Sequence, residues 1–201
     1  MSIKISPTFE YEKALLANGY RAIVGVDEAG CGALAGPVVA GAVILTIDSE
    51  FEGLRDSKLM TEKAREAMFP LVQEQSVAWA AGIVSADEIF KIGIRPATYL
   101  AMRRAIEGIE NVDYALVDAW TIPEIQIPQQ GVIKGDTKIM SIAAASVIAK
   151  VTRDRIMREA HEQYPQYEFT THKGYGTKVH RDAIKEHGAC PIHRLGYKTF
   201  H

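Results

Sequence analysis

Three apolar runs in this sequence each end at an aspartate: AIVGVD at Asp27, YALVD at Asp118 and GVIKGD at Asp136. Runs of this length, rich in β-branched residues, predict buried strands. A carboxylate directly after a buried strand is held at the rim of a sheet, where the ligand sites of α/β proteins usually form. If these strands are neighbours their acids converge, and Glu28 beside Asp27 adds a fourth carboxylate. The pattern therefore favours a sheet-based fold with an acidic rim.

The remaining pattern predicts a mixed α/β layer fold. Strands are expected at residues 21–27, 37–47 and 76–84, which suggest an antiparallel meander, and later at 112–118 and 131–136. Helices are expected at 5–20, 61–75, 85–93, 97–110, 138–164 and 178–188. Ser85 is a predicted N-cap, and Gly188 is a predicted helix stop. The segment THKGYGTK (171–178) is expected to be a glycine-punctuated loop.

Length and composition narrow the class of protein. With 201 residues, of which 47% are hydrophobic, the chain is long enough for one domain with a proper core. No apolar run has the roughly 18 residues of a membrane span, and MSIKISPTFEYEK lacks the apolar centre of a signal peptide. We therefore expect a cytoplasmic protein without membrane attachment. Cys31 and Cys190 have no disulfide or zinc-ligand spacing, so both are expected to be reduced thiols.

Charge is unevenly placed along the chain. Residues 1–133 carry 11 Lys and Arg against 18 Asp and Glu, whereas residues 134–201 carry 12 against 7. All 6 histidines also lie in the second part. A basic, polyanion-facing surface beside an acidic site would give this asymmetry, and so would ordinary basic amphipathic helices. The asymmetry is informative only together with the acids.

The acids themselves point to metal chemistry. Two carboxylates about 4 Å apart repel by roughly 4 kcal/mol at an effective dielectric near 20, so a cluster must share protons or bind cations. With oxygen ligands and no nearby His or Cys, the cations would be Mg²⁺ or Mn²⁺. Neighbouring strand residues point to opposite sides, so Asp27 and Glu28 reach one site only if the chain bends there, which Gly30 and Gly32 allow. The alternative for each acid is a helix cap or turn residue.

The glycine loop after the first strand has two interpretations. GCGALAG is close to the G-x-G-x-x-G fingerprint of dinucleotide-binding proteins. That fingerprint requires a helix at the loop, whereas Gly36-Pro37 leads into VVAGAVIL, which is typical of a strand. The favoured interpretation is a loop whose backbone approaches a sugar and phosphate beside the acids, because glycine has no side chain in the way.

An ordered series of motifs resembles the ribonuclease HII family. The motifs are DEAGCGALAGPVV (27–39), DSK (56–58), the strand ending at Asp118, KGD (134–136), AASVIAKVTRD (144–154), HKGYGT (172–177) and HGACPIHR (187–194). The resemblance spans roughly residues 22–200. It implies a ribonuclease H-like mixed sheet flanked by helices, in a single domain over 1–201 with a C-terminal helical, substrate-binding region at about 160–201. The activity implied is endonucleolytic cutting of RNA in RNA/DNA hybrids and at ribonucleotides embedded in duplex DNA.

By motif position, the family's metal-binding and catalytic acids fall on Asp27, Glu28, Asp118 and Asp136, the four that the strand pattern selects. Two ions roughly 3.5–4 Å apart would activate water and stabilise the leaving oxygen, which yields 5′-phosphate and 3′-hydroxyl ends. Mn²⁺ and Mg²⁺ are both open. The resemblance also implies a monomer.

Substrate-binding residues are assigned partly by resemblance and partly by helical spacing. In the family, the glycine loop and a tyrosine recognise the 2′-hydroxyl. The corresponding residues here are Gly30, Cys31, Gly32 and Tyr175. Ser146 and Lys150 are four apart on one helix face and could hold a phosphate; the alternative is a solvated face. The further phosphate candidates are Lys58, Lys134 and Lys173. Asp154, with Arg158 at i+4, is expected to form a surface ion pair, and no histidine is assigned to catalysis.

Cys31 departs from the family, which usually has arginine at this position. The change removes a cation that could contact phosphate. If backbone amides do most of the reading, recognition of the junction between DNA and a ribonucleotide survives. If the arginine's charge matters, affinity falls or substrate preference changes. Two other classes of protein stay open on sequence alone: a nucleotide-binding oxidoreductase insensitive to chelation, and a catalytically silent hybrid-binding protein, which four intact acids disfavour.

Overall fold

Five strands form one mixed sheet in the order β3-β2-β1-β4-β5 in a computed structural model that describes residues 6–200. The strands are β1 (Ile23–Ala29), β2 (Val38–Leu45), β3 (Ser76–Val84), β4 (Tyr114–Asp118) and β5 (Gln129–Val132). β1, β2 and β3 pair antiparallel, whereas β4 is parallel to β1 and β5 is parallel to β4. The predicted meander is confirmed, and the parallel strands add a second half whose carboxyl ends share one edge.

Helices cover both faces of this sheet. They are α1 (Glu10–Ala17), α2 (Glu62–Gln75), α3 (Ala86–Ile92), α4 (Ile94–Glu107), α5 (Met140–Gln163), α6 (Phe169–His172) and α7 (Lys178–His187). α5 lies across β1 and β2 on one face with α1 and α2 beside it, and α4 covers the other face with α3. No helix within residues 6–200 is long and apolar enough to cross a membrane.

Glycines in the central strands let the helices approach the sheet closely. A Cβ built on Gly41 would lie 2.3 Å from the carbonyl oxygen of Ala145 in α5, and one on Gly25 would lie 2.2 Å from the backbone of Ser141. On the opposite face, a Cβ on Gly82 would lie 2.0 Å from the carbonyl of Ala101 in α4. Contacts this short exclude any side chain, so these positions fix the distance between helix and sheet.

Several predicted ends are confirmed in detail. Ser85 caps α3 through a capping box, in which its hydroxyl accepts from the Glu88 amide and the Glu88 carboxylate accepts from the Ser85 amide. Gly188 ends α7 at a φ of 75°. Helix α4 begins at Ile94 rather than at residue 97, since Pro96 falls in its first turn, where a missing N–H costs nothing. The helix predicted from residue 5 begins outside the described residues and is observed from Glu10.

The strand predicted at 131–136 is wrong in its extent. β5 ends at Val132, Lys134 adopts a left-handed φ of 57°, and Gly135–Thr137 forms a short 3₁₀ helix that carries Asp136. The apolar Val132-Ile133 pair marked a strand end, but the left-handed residue that follows breaks the extended run. Asp136 is therefore presented by a tight turn.

The C-terminal part packs against the glycine loop. A small apolar cluster joins Ala35 of that loop to Met157, Tyr167, Phe169 and Cys190. Backbone bridges join Ala33 to Tyr175 and Ala35 to His193. The loop between β1 and β2 is thereby held between two segments that lie more than a hundred residues later in the chain.

Candidate active site

Asp27 and Glu28 both lie inside β1, which continues to Ala29. The bend expected between the two acids is absent, because this stretch stays paired with β2 as Asp27↔Gly41 and Glu28↔Ala40. Strand alternation therefore places Asp27 on the α5 face with Gly25, and Glu28 on the α4 face. Asp27 is buried and Glu28 is half-buried. The chain turns only at Gly30, whose φ is 96°.

Asp118 ends the strand next to β1. β1 and β4 are parallel with Val26 opposite Val117, so Asp27 and Asp118 follow at the same edge of the sheet. Ala119 then takes a left-handed φ of 59°, which turns the chain away from the sheet. The Asp118 Oδ1 accepts a hydrogen bond of 2.7 Å from the Gly135 amide, and this bond ties the turn that carries Asp136 to the end of β4.

Asp136 is buried beside a lysine that sequence reasoning had assigned to phosphate. The Lys58 Nζ lies 3.7 Å from the Asp136 Oδ2, and its side chain is otherwise exposed. Asp56 of the DSK motif accepts a hydrogen bond from the Lys58 amide at 2.8 Å and adds a further negative charge near Asp136. No role was assigned to this residue from the sequence. Its place in the DSK motif is the sequence feature that could have indicated a position near the acids. Lys58 thus supplies positive charge to the acids.

Burial and mutual repulsion raise the pKa values of these carboxyls. Burial raises the pKa of Asp27 well above its ordinary value, and the charges of Glu28 and Asp118 add to the effect. Burial and then Asp118 raise the pKa of Glu28. Burial, followed by Asp118 and Asp56, raises the pKa of Asp136 to about 6. Such a group of acids is stabilised by protons or cations.

The donor set fits a hard divalent cation. It consists of carboxylate oxygens, and the Glu28 Oε2 is buried without a hydrogen-bond partner among residues 6–200. In the described part of the chain, no three His, Cys, Asp or Glu side chains are arranged as a finished metal site. Asp118 instead bonds the Gly135 amide, and Asp136 pairs with Lys58. The residues fit the ion by the chemistry of their oxygen donors.

Two fully buried arginines hold the glycine loop from inside. The Arg153 Nε donates to the Pro37 carbonyl at 2.9 Å, and its Nη2 donates to the Ala35 carbonyl at 3.1 Å. Arg194 donates to the carbonyls of Gly36, Pro37 and Cys31 at 2.9, 3.0 and 3.1 Å. Neither arginine forms a salt bridge within residues 6–200. Sequence reasoning missed both, because an arginine in a helix or tail usually signals a surface position.

Tyr175 lies against the same loop. The Arg153 guanidinium carbon is 5.1 Å from the centre of the Tyr175 ring, and the Lys150 Nζ is 5.7 Å from it. The Gly174 carbonyl accepts from the Leu34 amide at 2.9 Å. The structure therefore places Tyr175 and Lys150 beside Arg153, which lies under Gly30 of the loop that also carries Cys31 and Gly32. The substrate-binding roles of these residues stay predictions. Cys31 is half-buried, and its Sγ lies 3.2 Å from the Thr98 hydroxyl.

The other predicted substrate residues are placed differently. Ser146 is 1% exposed, and its hydroxyl donates to the Ala143 carbonyl and accepts from the Ser57 amide, so it does not face a phosphate. It anchors the turn that carries Lys58. Lys173 is buried, bonds the Thr170 carbonyl and lies 3.4 Å from Glu62. Lys134 is exposed beside Asp136.

The surface ion pair predicted for Asp154 is wrong. Asp154 is 2% exposed and binds the Lys150 Nζ at 2.6 Å and the Arg65 guanidinium at 3.5 Å. Arg158 instead pairs with Glu66 and Glu62 on α2. Helix α2 covers this face of α5, which a helical spacing rule cannot anticipate. Asp154 thus orients Lys150 beneath Tyr175.

Three histidines, none of them assigned to catalysis from the sequence, form a buried cluster. His172 and His180 stack with ring centres 4.4 Å apart. The His193 Nδ1 accepts from the Cys190 amide at 2.9 Å, and its Nε2 lies 3.1 Å from the His180 Nε2. The His180 Nδ1 lies 3.0 Å from the Tyr175 carbonyl. The cluster is linked to Tyr175 through His180.

Comparison with solved structures identifies the fold. The chain superposes on the crystal structure of ribonuclease H2 from Pyrococcus horikoshii OT3 with a TM-score of 0.70 and 25% identity, over 89% of this chain and 94% of that one. Bst-RNase HIII in complex with Mn²⁺ matches with a TM-score of 0.70 over 93% of this chain and 71% of that one; at 17% identity it shows the fold alone. The mixed sheet and acidic rim define a ribonuclease H-like hydrolase, as predicted.

The particular family follows from sequence comparison. The family model for ribonuclease HII matches residues 24–200. The ribonuclease HII of Acetivibrio thermocellus is 50% identical over 188 residues, which cover 93% of this chain and 73% of the relative. The chain belongs to the ribonuclease HII family. It is a metal-dependent endonuclease that hydrolyses the RNA of RNA/DNA hybrids.

Proposed function

We propose that this ribonuclease also incises duplex DNA at single embedded ribonucleotides and leaves 5′-phosphate and 3′-hydroxyl ends. Gly32 carries the proposal. It is exposed, its φ is not left-handed, and a Cβ built on it meets nothing within 4 Å. The fold therefore gives no reason for glycine at this position. Close approach of a substrate sugar-phosphate backbone gives one.

The amides of the same loop support recognition of a single nucleotide. Those of Cys31 and Gly32 make no hydrogen bond within the described part of the chain, whereas Ala33, Leu34 and Gly36 are all bonded internally. Free amides on a rigid loop can bind phosphate or sugar oxygens. The 2′-hydroxyl is the group that distinguishes a ribonucleotide from its neighbours. Tyr175, half-buried beside the loop, is proposed to pack on the sugar or base next to it.

The acids are proposed to act as ligands to two divalent ions. Asp27, Glu28, Asp118 and Asp136 would hold Mg²⁺ or Mn²⁺; when bound, such ions supply the Lewis acidity that activates water and stabilises a leaving oxygen. The protein contributes carboxylates near one edge of the sheet and a positive charge, Lys58, next to Asp136. Lys58, Lys134 and Lys150 are proposed to contact phosphates, whereas Lys173 is buried against Glu62 and is left out. We propose that the enzyme is a cytoplasmic monomer.

Cleavage of end-labelled substrates tests the proposal. A DNA duplex with one ribonucleotide and a full RNA/DNA hybrid are incubated with Mg²⁺, with Mn²⁺ and with chelator, with Asp136→Asn as the inactive control. We expect metal-dependent incision 5′ of the single ribonucleotide. If the hybrid alone is cut, specificity does not reside in the glycine loop, and if neither is cut the nuclease assignment fails for this chain.

Gly32→Ala isolates the loop from the fold. We expect an unchanged Tm and a loss of incision at the single ribonucleotide of about 10-fold or more, since the added methyl group occupies space reserved for substrate. Gly196→Ala is the matched control, because a Cβ there meets the Phe90 ring at an ordinary 3.5 Å. Full activity in Gly32→Ala would contradict close approach at this loop.

A further inference from the structure

The side chain of Arg153 lies directly beneath the glycine loop. A Cβ built on Gly30 would lie 2.1 Å from the Arg153 Nε, so the loop closes onto the guanidinium with no room for a side chain. The guanidinium also bonds the carbonyls of Ala35 and Pro37, at the far end of the loop. One planar group therefore touches both ends of the segment whose middle carries Cys31 and Gly32.

The same guanidinium supports Tyr175 from below. Its central carbon lies 5.1 Å from the ring centre, within the range of a cation–π contact. Arg153 is 0% exposed, and its Nη1 has no hydrogen-bond partner among residues 6–200. It touches the loop on one side and the aromatic ring on the other, yet it is too deeply buried to touch a substrate.

A buried cation without a carboxylate partner is costly, so a fold that only needed filled space would place an apolar side chain here. The pKa of Arg153 is lowered by this burial, a sign that desolvation outweighs the favourable charges around it. The three-way contact accounts for its presence, because only a flat fork of donors can bond two carbonyls and stack on a ring at once.

We propose that Arg153 is a positioning residue that sets the distance and angle between the glycine loop and Tyr175, and thereby the selectivity for an isolated ribonucleotide. The inference rests on the proposed incision at embedded ribonucleotides. On this view the shape of the loop depends on the buried guanidinium beneath it and not on the side chain of Cys31 at its tip.

Two variants test the role of the guanidinium. Arg153→Lys keeps the charge but cannot bond both carbonyls, and Arg153→Met keeps the length without charge. We expect both to fold, and kcat/KM for the single-ribonucleotide duplex to fall about 10-fold to 100-fold more than kcat/KM for the long hybrid. Equal loss on both substrates would mean that Arg153 only supports the fold and would overturn the inference.

Arg104→Lys is the matched control. Arg104 also donates to a backbone carbonyl, that of Ile83, and lies on α4 away from the loop. We expect the ratio of kcat/KM for the single-ribonucleotide duplex to kcat/KM for the long hybrid to be the same in Arg104→Lys as in the wild type. If the ratio for Arg104→Lys fell as far as that for Arg153→Lys, the effect would come from the loss of any arginine and not from the position of Arg153.

Amide hydrogen exchange provides a readout independent of substrate. The amides of Leu34 and Gly36 are bonded to Gly174 and Ile192, and we expect their exchange in Arg153→Lys to be at least about 10-fold faster. Unchanged exchange would refute the positioning role. If the wild type cuts hybrids but not single ribonucleotides, the proposed function fails. In that case, faster amide exchange in Arg153→Lys together with a raised KM for the hybrid would still support loop positioning by Arg153.

Discussion

Asp136 shares its surroundings with Asp118, Asp56 and Lys58, and burial together with the two neighbouring aspartates raises its pKa. Because its pKa is raised to about 6, the protonated form is favoured in the folded state. The stability that this group contributes is therefore fully present below about pH 4 and is lost as pH rises through about 6.

Asp136→Asn should accordingly stabilise the metal-free protein. At pH 7.5 in chelator we expect its Tm to exceed that of the wild type by a few degrees, which corresponds to a free energy of unfolding higher by roughly 1–2 kcal/mol. Metal-dependent cleavage should be lost. Thermal melts with and without Mg²⁺ check both parts, since Mg²⁺ should raise the Tm of the wild type more than that of the variant. A lower Tm in the chelated variant would contradict repulsion within the cluster.

Cys31 should behave as an unreactive thiol. Burial and then the charge of Glu28 raise its pKa to about 11, which lowers the thiolate fraction about 100-fold relative to a thiol of pKa 9. We expect correspondingly slow labelling by a thiol reagent at pH 8, measured by mass spectrometry. Cys31→Arg should fold and retain cleavage, and rapid labelling or a dead arginine variant would show that the loop is used differently.

Among the single residues, the placement of Asp27, Asp118 and Asp136 near one edge of the sheet could be predicted from sequence, because a carboxylate at the end of an apolar run is a local pattern. The role of these acids and of Glu28 as metal ligands stays a prediction. The roles of Ser146 and Asp154 could not be predicted. Each is set by a segment far away in sequence: the turn at Ser57 covers Ser146, and Arg65 of α2 reaches Asp154. A helical spacing rule gives the face of a residue but not what packs on that face.

Among the elements, the C-terminal segments are joined by a chain of neutral histidines. Because the His193 Nδ1 accepts from the Cys190 amide, its proton is on Nε2 and points to the His180 Nε2. His180 then carries its own proton on Nδ1 and donates to the Tyr175 carbonyl. A second proton on either ring would set two donors against each other and break this chain.

Acid should therefore loosen the C-terminal region. Burial lowers the pKa values of His180 and His193 to about 4, so the stability they contribute is present above about pH 6.5 and is lost as pH falls toward 4. We expect a steeper fall of Tm over this range in the wild type than in His193→Gln, which cannot gain the proton. Parallel pH profiles of Tm would contradict the histidine chain.

The elements themselves were largely predictable, since hydrophobic periodicity sets strands and helices. The end of β5 was not, because Lys134 takes a left-handed conformation that no local pattern announces. The bend expected after Asp27 was wrong because β2 pairs with β1 as far as Ala29 and keeps it extended. Pairing with a neighbour outweighed the local preference of the glycines.

Over the whole molecule, charge is divided between the acidic rim and a basic C-terminal third, with 12 Lys and Arg against 7 Asp and Glu over residues 134–201. If that third binds the phosphate backbone, affinity must depend on counterion release. We expect KM for the hybrid to rise at least about 10-fold between 50 and 200 mM KCl, with kcat much less affected. A KM independent of salt would place the substrate elsewhere.

The placement of Arg194 and Arg153 has a consequence for biosynthesis. The loop near residue 30 emerges from the ribosome early, but the guanidinium groups that hold its carbonyls are made only when the chain has reached α5 and the segment after α7. Asp118 and Asp136 are made before either arginine, but until Arg153 and Arg194 have been added the acids stand beside an unshaped loop. If the loop is needed for cleavage, as proposed, a growing chain acquires that activity only after the segment that carries Arg194 has folded.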